Sequence, residues 1–254
     1  AVTDNLNFGN PNKPEVYYAL SHCVKGLAEA CRYFDVPVVG GNVSLYNEHG
    51  KGAVDPTPVV SMVGLIEQAE HVTSSFVENG DETLVLLGGL PTELGASYFL
   101  QTRHGLKEGK VPEVNLAAEK ALQDLLLSQI ESGRIAAAHD LSEGGFLVTL
   151  AEMFFQDGDL GADLSLSSLG PSGRLDTLLF GESQGRVIVA LNPEHLEAFI
   201  AAAKDLSVEA EVLGSANREG SLRVSLADEL LLDVSTVSLL NVWEKAIPEI
   251  MNQS

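Results

Sequence analysis

Two cysteines, Cys23 and Cys31, are all the thiols in this chain of 254 residues. They lie eight positions apart in a segment with helical periodicity. That spacing is about 12 Å along a helix axis, too far for a disulfide within it. So few thiols exclude a disulfide framework and a structural zinc site, and they point to a reducing, cytoplasmic setting. Basic side chains are also scarce: 15 Lys and Arg against 36 Asp and Glu, a net charge of −21. Nonspecific binding to nucleic acid takes its affinity from Lys and Arg, so no nucleic-acid partner is expected. An anionic membrane surface is excluded on the same ground. No apolar run approaches the roughly 20 residues of a transmembrane helix, and no signal peptide is visible. Walker A loops, G-x-G-x-x-G fingerprints and serine-hydrolase elbows are absent as well.

What is present suffices for a sizeable core. Hydrophobic residues make up 45% of the chain and mean hydropathy is +0.12. Residues 14–34 carry an apolar stripe, Leu20, Val24, Leu27, Ala28 and Cys31, at helical spacing. Pro14 suits its first turn. A strand is expected at 59–66, then a polar stretch with Ser74-Ser75 and Asn79-Gly80 that marks a domain boundary. Beyond it, strands are expected at 83–87, 135–138, 162–166, 186–191, 209–213 and 222–226. Helices are expected at 94–100, 115–130 (capped by Asn115), 145–155, 174–180, 193–204 and 237–246. Trp243 is expected to pack this last helix. The mixture is α/β with mixed strand directions, in two domains that meet within residues 67–81.

Two polar stretches adjoin apolar strands early in the chain. Thr3-Asp4-Asn5-Leu6-Asn7-Phe8-Gly9-Asn10-Pro11 follows Ala1-Val2. Val36-Pro37-Val38-Val39 leads into Gly40-Gly41-Asn42-Val43-Ser44-Leu45-Tyr46-Asn47-Glu48 and is expected to break at the glycines. One helix joins the two, which would set the polar strand ends side by side, where α/β folds bind ligands. Glycines admit positive φ and close approach of a ligand, and their N–H groups can hold an anion. Asn42 offers a hard oxygen suited to Mg²⁺, Asp4 a carboxylate and Ser44 a hydroxyl. A plain turn with Asn and Ser satisfying it explains the same residues. Lys13 and Lys51 are the nearest cations and flank expected loops.

Two later stretches have the same ambiguity. In His139-Asp140-Leu141-Ser142-Glu143-Gly144-Gly145, Asp140 and Glu143 are either metal ligands or a capping box before an apolar helix. His139 reads as a structural histidine. Gly181-Glu182-Ser183-Gln184-Gly185-Arg186 reads as a solvated turn or as part of a substrate site.

Together these motifs resemble the synthetase subunit of the formylglycinamide ribonucleotide amidotransferases, the phosphoribosylformylglycinamidine synthases, in their small multi-subunit form. The two early motifs are specific to that family. The two later ones, Glu182-Ser183-Gln184 among them, recur in its superfamily, which includes aminoimidazole ribonucleotide synthetase. The resemblance implies an ATP-dependent ligase of purine synthesis. ATP activates the formamide oxygen of formylglycinamide ribonucleotide, and ammonia displaces phosphate to give the amidine. It implies a glutaminase subunit and a small bridging subunit as partners. It also implies a tandem repeat of barrel-forming and α/β parts. Residues 1–74 correspond to the second half of the second barrel-forming part, and 75–254 to the last α/β part. Asp4 and Gly41 would then contact ATP, Asn42 Mg²⁺, and Ser44 the substrate. The family's catalytic histidines lie in the N-terminal repeat, so none is expected here. Asp140, Glu182 and Gln184 would mark a vestigial second site. The lack of an initiator Met and the start inside an apolar strand suggest a C-terminal fragment, inactive alone, with an apolar face able to pair with a second copy. The alternative is a non-catalytic scaffold or subunit-contact domain with vestigial nucleotide sites.

Overall fold

A computed structural model describes residues 1–50, 52–91, 93–166, 174–227 and 229–252. They form two compact units, Ala1–Ala69 and Glu70–Ser254. Among the described residues no helix is long and apolar enough to cross a membrane.

The first unit is a strand–helix–strand with an added antiparallel strand. β1 (Val2–Asn7) leads to α1 (Pro14–Tyr33) and β2 (Val38–Ser44); a ribbon of β3 (Glu48–His49) and β4 (Gly52–Ala53) precedes β5 (Thr57–Met62). The sheet order is β2-β1-β5, with β1 parallel to β2 and antiparallel to β5. Pro14 sits in the first helical turn, where a missing N–H costs nothing. Leu6, Phe8 and Val16 form the small core, with Ala19, Leu20, Cys23 and Leu27 of α1 against it. Both cysteines are free. The expected break at Gly40-Gly41 does not occur. The parallel ladder runs on through both glycines to Ser44. Conversely, the expected strand at 59–66 begins at Thr57 and stops at Met62, where pairing with Val2 ends.

The second unit is built on a seven-stranded mixed sheet. Its elements are β6 (Thr83–Leu87), α2 (Tyr98–His104), α3 (Leu116–Glu131), β7 (Ile135–Asp140), α4 (Gly145–Glu152), β8 (Gly161–Ser165), α5 (Leu175–Phe180), β9 (Val187–Leu191), α6 (Leu196–Asp205), β10 (Ala210–Asn217), β11 (Ser221–Leu226), β12 (Glu229–Ser235) and α7 (Thr236–Asn252). The strand order is β12-β11-β8-β10-β6-β9-β7. Only β8 and β11 among these neighbours run parallel. β6 and β9 are buried on both faces, which is why they read as unbroken apolar runs. Leu84, Leu86, Ile188 and Ala190 face a core shared with Phe146 and Leu150 of α4. Val85, Leu87, Val187 and Val189 face a second core with Leu122 and Leu125 of α3 and Phe199 of α6.

Asn115 caps α3 as expected, accepting from the N–H groups of Ala117 and Ala118. The short helix expected at 94–100 instead begins after Ser97, which caps α2, and ends at left-handed Gly105. α7 runs through Pro248 to Asn252, beyond the expected end at 246. Trp243 lies against Phe155, ring centroids 5.7 Å apart, and remains 61% exposed.

Candidate functional site

The register of β1 and β2 brings the early polar residues onto paired strands. Thr3 pairs with Gly40, Asp4 with Gly41, Asn5 with Asn42 and Asn7 with Ser44. Registered partners share a face and successive residues alternate. Asn5, Asn7, Asn42 and Ser44 therefore lie on one face, opposite the face that packs Leu6 against α1. An amide ladder joins three of them: Asn5 Oδ1 accepts from Asn42 Nδ2 at 3.1 Å and from Asn7 Nδ2 at 3.0 Å. The Asp4 side chain lies on the other face and leans over Gly41. A Cβ on Gly41 would stand 2.5 Å from Asp4 Oδ1 and 2.4 Å from the Asp4 carbonyl oxygen. β2 is an edge strand. Two consecutive glycines leave its middle, positions 40 and 41, without side chains. A ligand lying along it can meet the Asp4 carboxylate on one side and the Asn42 amide on the other.

The loops beyond these strands are tied by one carboxylate. Glu48 accepts from Lys13 Nζ and from the Asn10 N–H, each at 2.9 Å. Those bonds, Lys13 first, hold its carboxyl below the usual range. The Lys13 ammonium is thus already paired; Lys51 lies outside the described residues. Tyr46 N–H donates to the Gly9 carbonyl and Asn47 N–H to that of Phe8, so the two polar stretches stay together past the strand ends.

In the second unit, β7 ends and β9 begins as neighbours, Asp140 paired with Val187. The loops at 139–145 and 181–186 therefore meet. Neither side chain of the expected capping box serves α4. Its N-cap is Gly144 at φ 83°, and a Cβ on Gly145 would collide with the Gly181 carbonyl oxygen. The Gly144 N–H donates to Glu182 Oε1 at 2.8 Å, and the same oxygen accepts the Tyr98 N–H, at 2.8 Å, at the start of α2. Asp140 accepts from the Ser142 hydroxyl, and this bond, aided by its own N–H and by His139, outweighs burial and lowers its pKa. His139 sits between Asp140 and Glu152, at 3.4 and 3.2 Å. Gln184 lines a cavity of about 290 Å³ with Gly88, Gly89, Glu93, Glu119 and Glu209. Arg186 is buried and donates to the carbonyls of Gly181 and Ser183, which shapes the Glu182 loop. Burial pulls its pKa down to about 10, so it is still a cation at neutral pH. Among the described residues no group of three His, Cys, Asp or Glu is placed to hold a metal.

Glu182 thus supports two helix starts. Glu182→Ala is expected to cost about 2–3 kcal/mol in urea unfolding, because charge-assisted bonds to two N–H groups are lost. Glu182→Gln, which keeps an acceptor oxygen, should lose under half of that. Equal losses in both variants would show that the shared oxygen is not what matters.

The chain belongs to the AIR synthase related protein family. The family's N-terminal domain matches residues 1–66 and its C-terminal domain residues 79–227. Over 252 residues, 99% of this chain, it is 40% identical to the phosphoribosylformylglycinamidine synthase subunit PurL of Alkaliphilus metalliredigens (strain QYMF). It spans 33% of that protein's length. Among solved structures, Thermotoga maritima PurL complexed with ATP matches 94% of this chain, and the chain covers 37% of it, at TM-score 0.70 and 21% identity. The same protein complexed with FGAR matches 94%, with 39% of it covered, at TM-score 0.73 and 21% identity. At that identity the likeness is one of fold.

Sequence alone does not single out Asn5 and Asn7. The signal was there: Thr3, Asn5 and Asn7 alternate with Val2, Asp4 and Leu6 at the period of a strand. It was obscured because Asp and Asn are poor strand formers.

Proposed function

We propose that this chain supplies one wall of the ATP and substrate site of a phosphoribosylformylglycinamidine synthase. In such an enzyme formylglycinamide ribonucleotide, ATP and glutamine-derived ammonia give the amidine, ADP and phosphate. The observation that carries the proposal is the pair of side-chain-free positions at Gly40 and Gly41 of β2, with the Asp4 carboxylate leaning over Gly41 and the Asn42 amide on the opposite face. Asp4 and the Gly41 main chain take the nucleotide, and the Ser44 hydroxyl takes the substrate. The Asn42 oxygen fits one position around Mg²⁺, because its Nδ2 is engaged by Asn5 and its oxygen is left to face outward. One amide oxygen does not hold the ion unaided; Mg²⁺ keeps waters and phosphate oxygens in its octahedron. Bound there, the ion would offset phosphate charge. The chain's own residues orient ATP and substrate, and in phosphoryl transfer positioning and charge stabilisation account for most of the rate.

In this reading, residues 1–74 are half of a barrel-forming part, 75–254 are the following α/β part, and the catalytic residues come from the N-terminal repeat. A glutaminase and a small bridging subunit complete a cytoplasmic complex. For Asp140, Glu182 and Gln184 we propose a vestigial, structural second site. The engagement of Glu182 by two main-chain N–H groups supports this. The test supplies the purified chain with ATP, Mg²⁺, formylglycinamide ribonucleotide and concentrated ammonium, alone and with a polypeptide carrying the N-terminal repeat. Amidine and ADP should form only in the second mixture. Product from the chain alone would show that the site is complete without another wall, and no product from either would count against the assignment.

A further inference from the structure

The amide ladder on β1 and β2 carries an inference that deepens this reading and rests on Asn42 being the metal-side ligand. An asparagine amide has one accepting end and one donating end, and an unrestrained one can turn either toward a ligand. Here Asn5 Oδ1 accepts from both Asn42 Nδ2 and Asn7 Nδ2. A single oxygen shared by two donors fixes all three groups. Asn42 must turn its oxygen away from Asn5, and Asn7 keeps the Asn5 oxygen pointed at Asn42. The register supports the arrangement, since Asn5 stands directly opposite Asn42 and two residues before Asn7 on the same face.

We propose that Asn5 is a positioning residue: it holds the Asn42 amide with Oδ1 presented to the Mg²⁺ of Mg·ATP. Asn5 does not itself touch metal or nucleotide. The ladder lies on an exposed face, so it adds little to stability. Its effect falls on the metal, as with other outer-shell partners, whose loss weakens metal affinity about 10–100-fold.

The experiment uses the full-length synthetase that contains these residues, with Mn²⁺ in the presence of ATP as probe. Free Mn²⁺ is read by electron paramagnetic resonance and stability by thermal melting. Asn42→Leu should weaken Mn²⁺ binding at least tenfold. Asn5→Leu should weaken it about tenfold, at the low end of the outer-shell range, with an unchanged melting temperature. Asn5→Asp, whose carboxylate accepts the same two bonds, should bind as tightly as wild type or more so. If Asn5→Leu melts early, Asn5→Ser, too short to reach either amide, decides by the same criterion. Weakened binding in Asn42→Leu with wild-type binding in Asn5→Leu overturns this inference and leaves the metal reading standing. Wild-type binding in Asn42→Leu overturns both. Binding in Asn5→Asp as weak as in Asn5→Leu overturns orientation by an acceptor oxygen.

Discussion

Gly41→Val is expected to destabilise the first unit by about 3–4 kcal/mol, within the range of backbone-strain and overpacking mutants, and, in the full-length synthetase, to abolish ATP binding at the site proposed above. Gly41 adopts φ +149°, and its Cβ would stand 2.4 Å from the Asp4 carbonyl oxygen and 3.0 Å from the Asp4 nitrogen. Both are main-chain atoms of the neighbouring strand, so no rotamer change relieves them. β1 and β2 must part, and with them the register that aligns Asn5 with Asn42. Gly40→Ala is the control. A Cβ there meets only Thr3 Cγ2, at 3.8 Å, an ordinary contact. Thermal melting and ATP titration of both variants decide the matter. Equal damage at the two positions would mean that the close approach at Gly41 has no special importance.

Glu82→Leu should cost about 4 kcal/mol, because it leaves three main-chain donors without their acceptor. Glu82 is fully buried. Its Oε1 accepts the Asn79 N–H at 2.9 Å, and Oε2 accepts those of Gly80 at 2.7 Å and Asp81 at 3.1 Å. Burial alone would raise its pKa, but these N–H groups and its own outweigh burial and lower it from 4.5. A lowered folded value gives stabilisation that is complete above the unfolded value and fades as pH falls through the folded one. The neutral variant Glu82→Gln should therefore be less stable than wild type at pH 7. The gap should shrink below about pH 4.5 as the unfolded carboxyl begins to hold its proton. Urea unfolding at a series of pH values measures it; a gap that stays constant into acid would show that the charge is immaterial.

Elements whose signals are local were legible in the sequence. α1 announces itself by Pro14 and an apolar stripe, α3 by Asn115 at its cap, and β6 and β9 by apolar runs that reflect burial on two faces. Legibility failed where a distant residue decided the outcome. β2 continues through two glycines because β1 lies close enough to need them, and nothing within residues 36–48 reveals that neighbour. Asp140 and Glu143 have the spacing of a capping box, yet α4 takes its acceptor from Glu182, 38 residues beyond the cap. β12 was not anticipated at all. Among the described residues it is a sheet edge paired with β11, and its sequence, Glu-Leu-Leu-Leu-Asp-Val-Ser, does not alternate cleanly. Of the site, Asp4, Gly41, Asn42 and Ser44 were singled out by residue type. Their division between two faces needed the register.

The single carboxylate oxygen under Tyr98 and Gly144 has a dynamic consequence. Each helix start normally frays by itself, at its own local free energy. Here the first turn of α2 and the cap of α4 share one acceptor, supplied by the loop before β9. If Glu182 withdraws, both lose their partner in the same event. The three segments are far apart in sequence, yet the shared oxygen is expected to make them open together. Arg186 anchors the Glu182 loop to the sheet by binding the carbonyls on either side of Glu182.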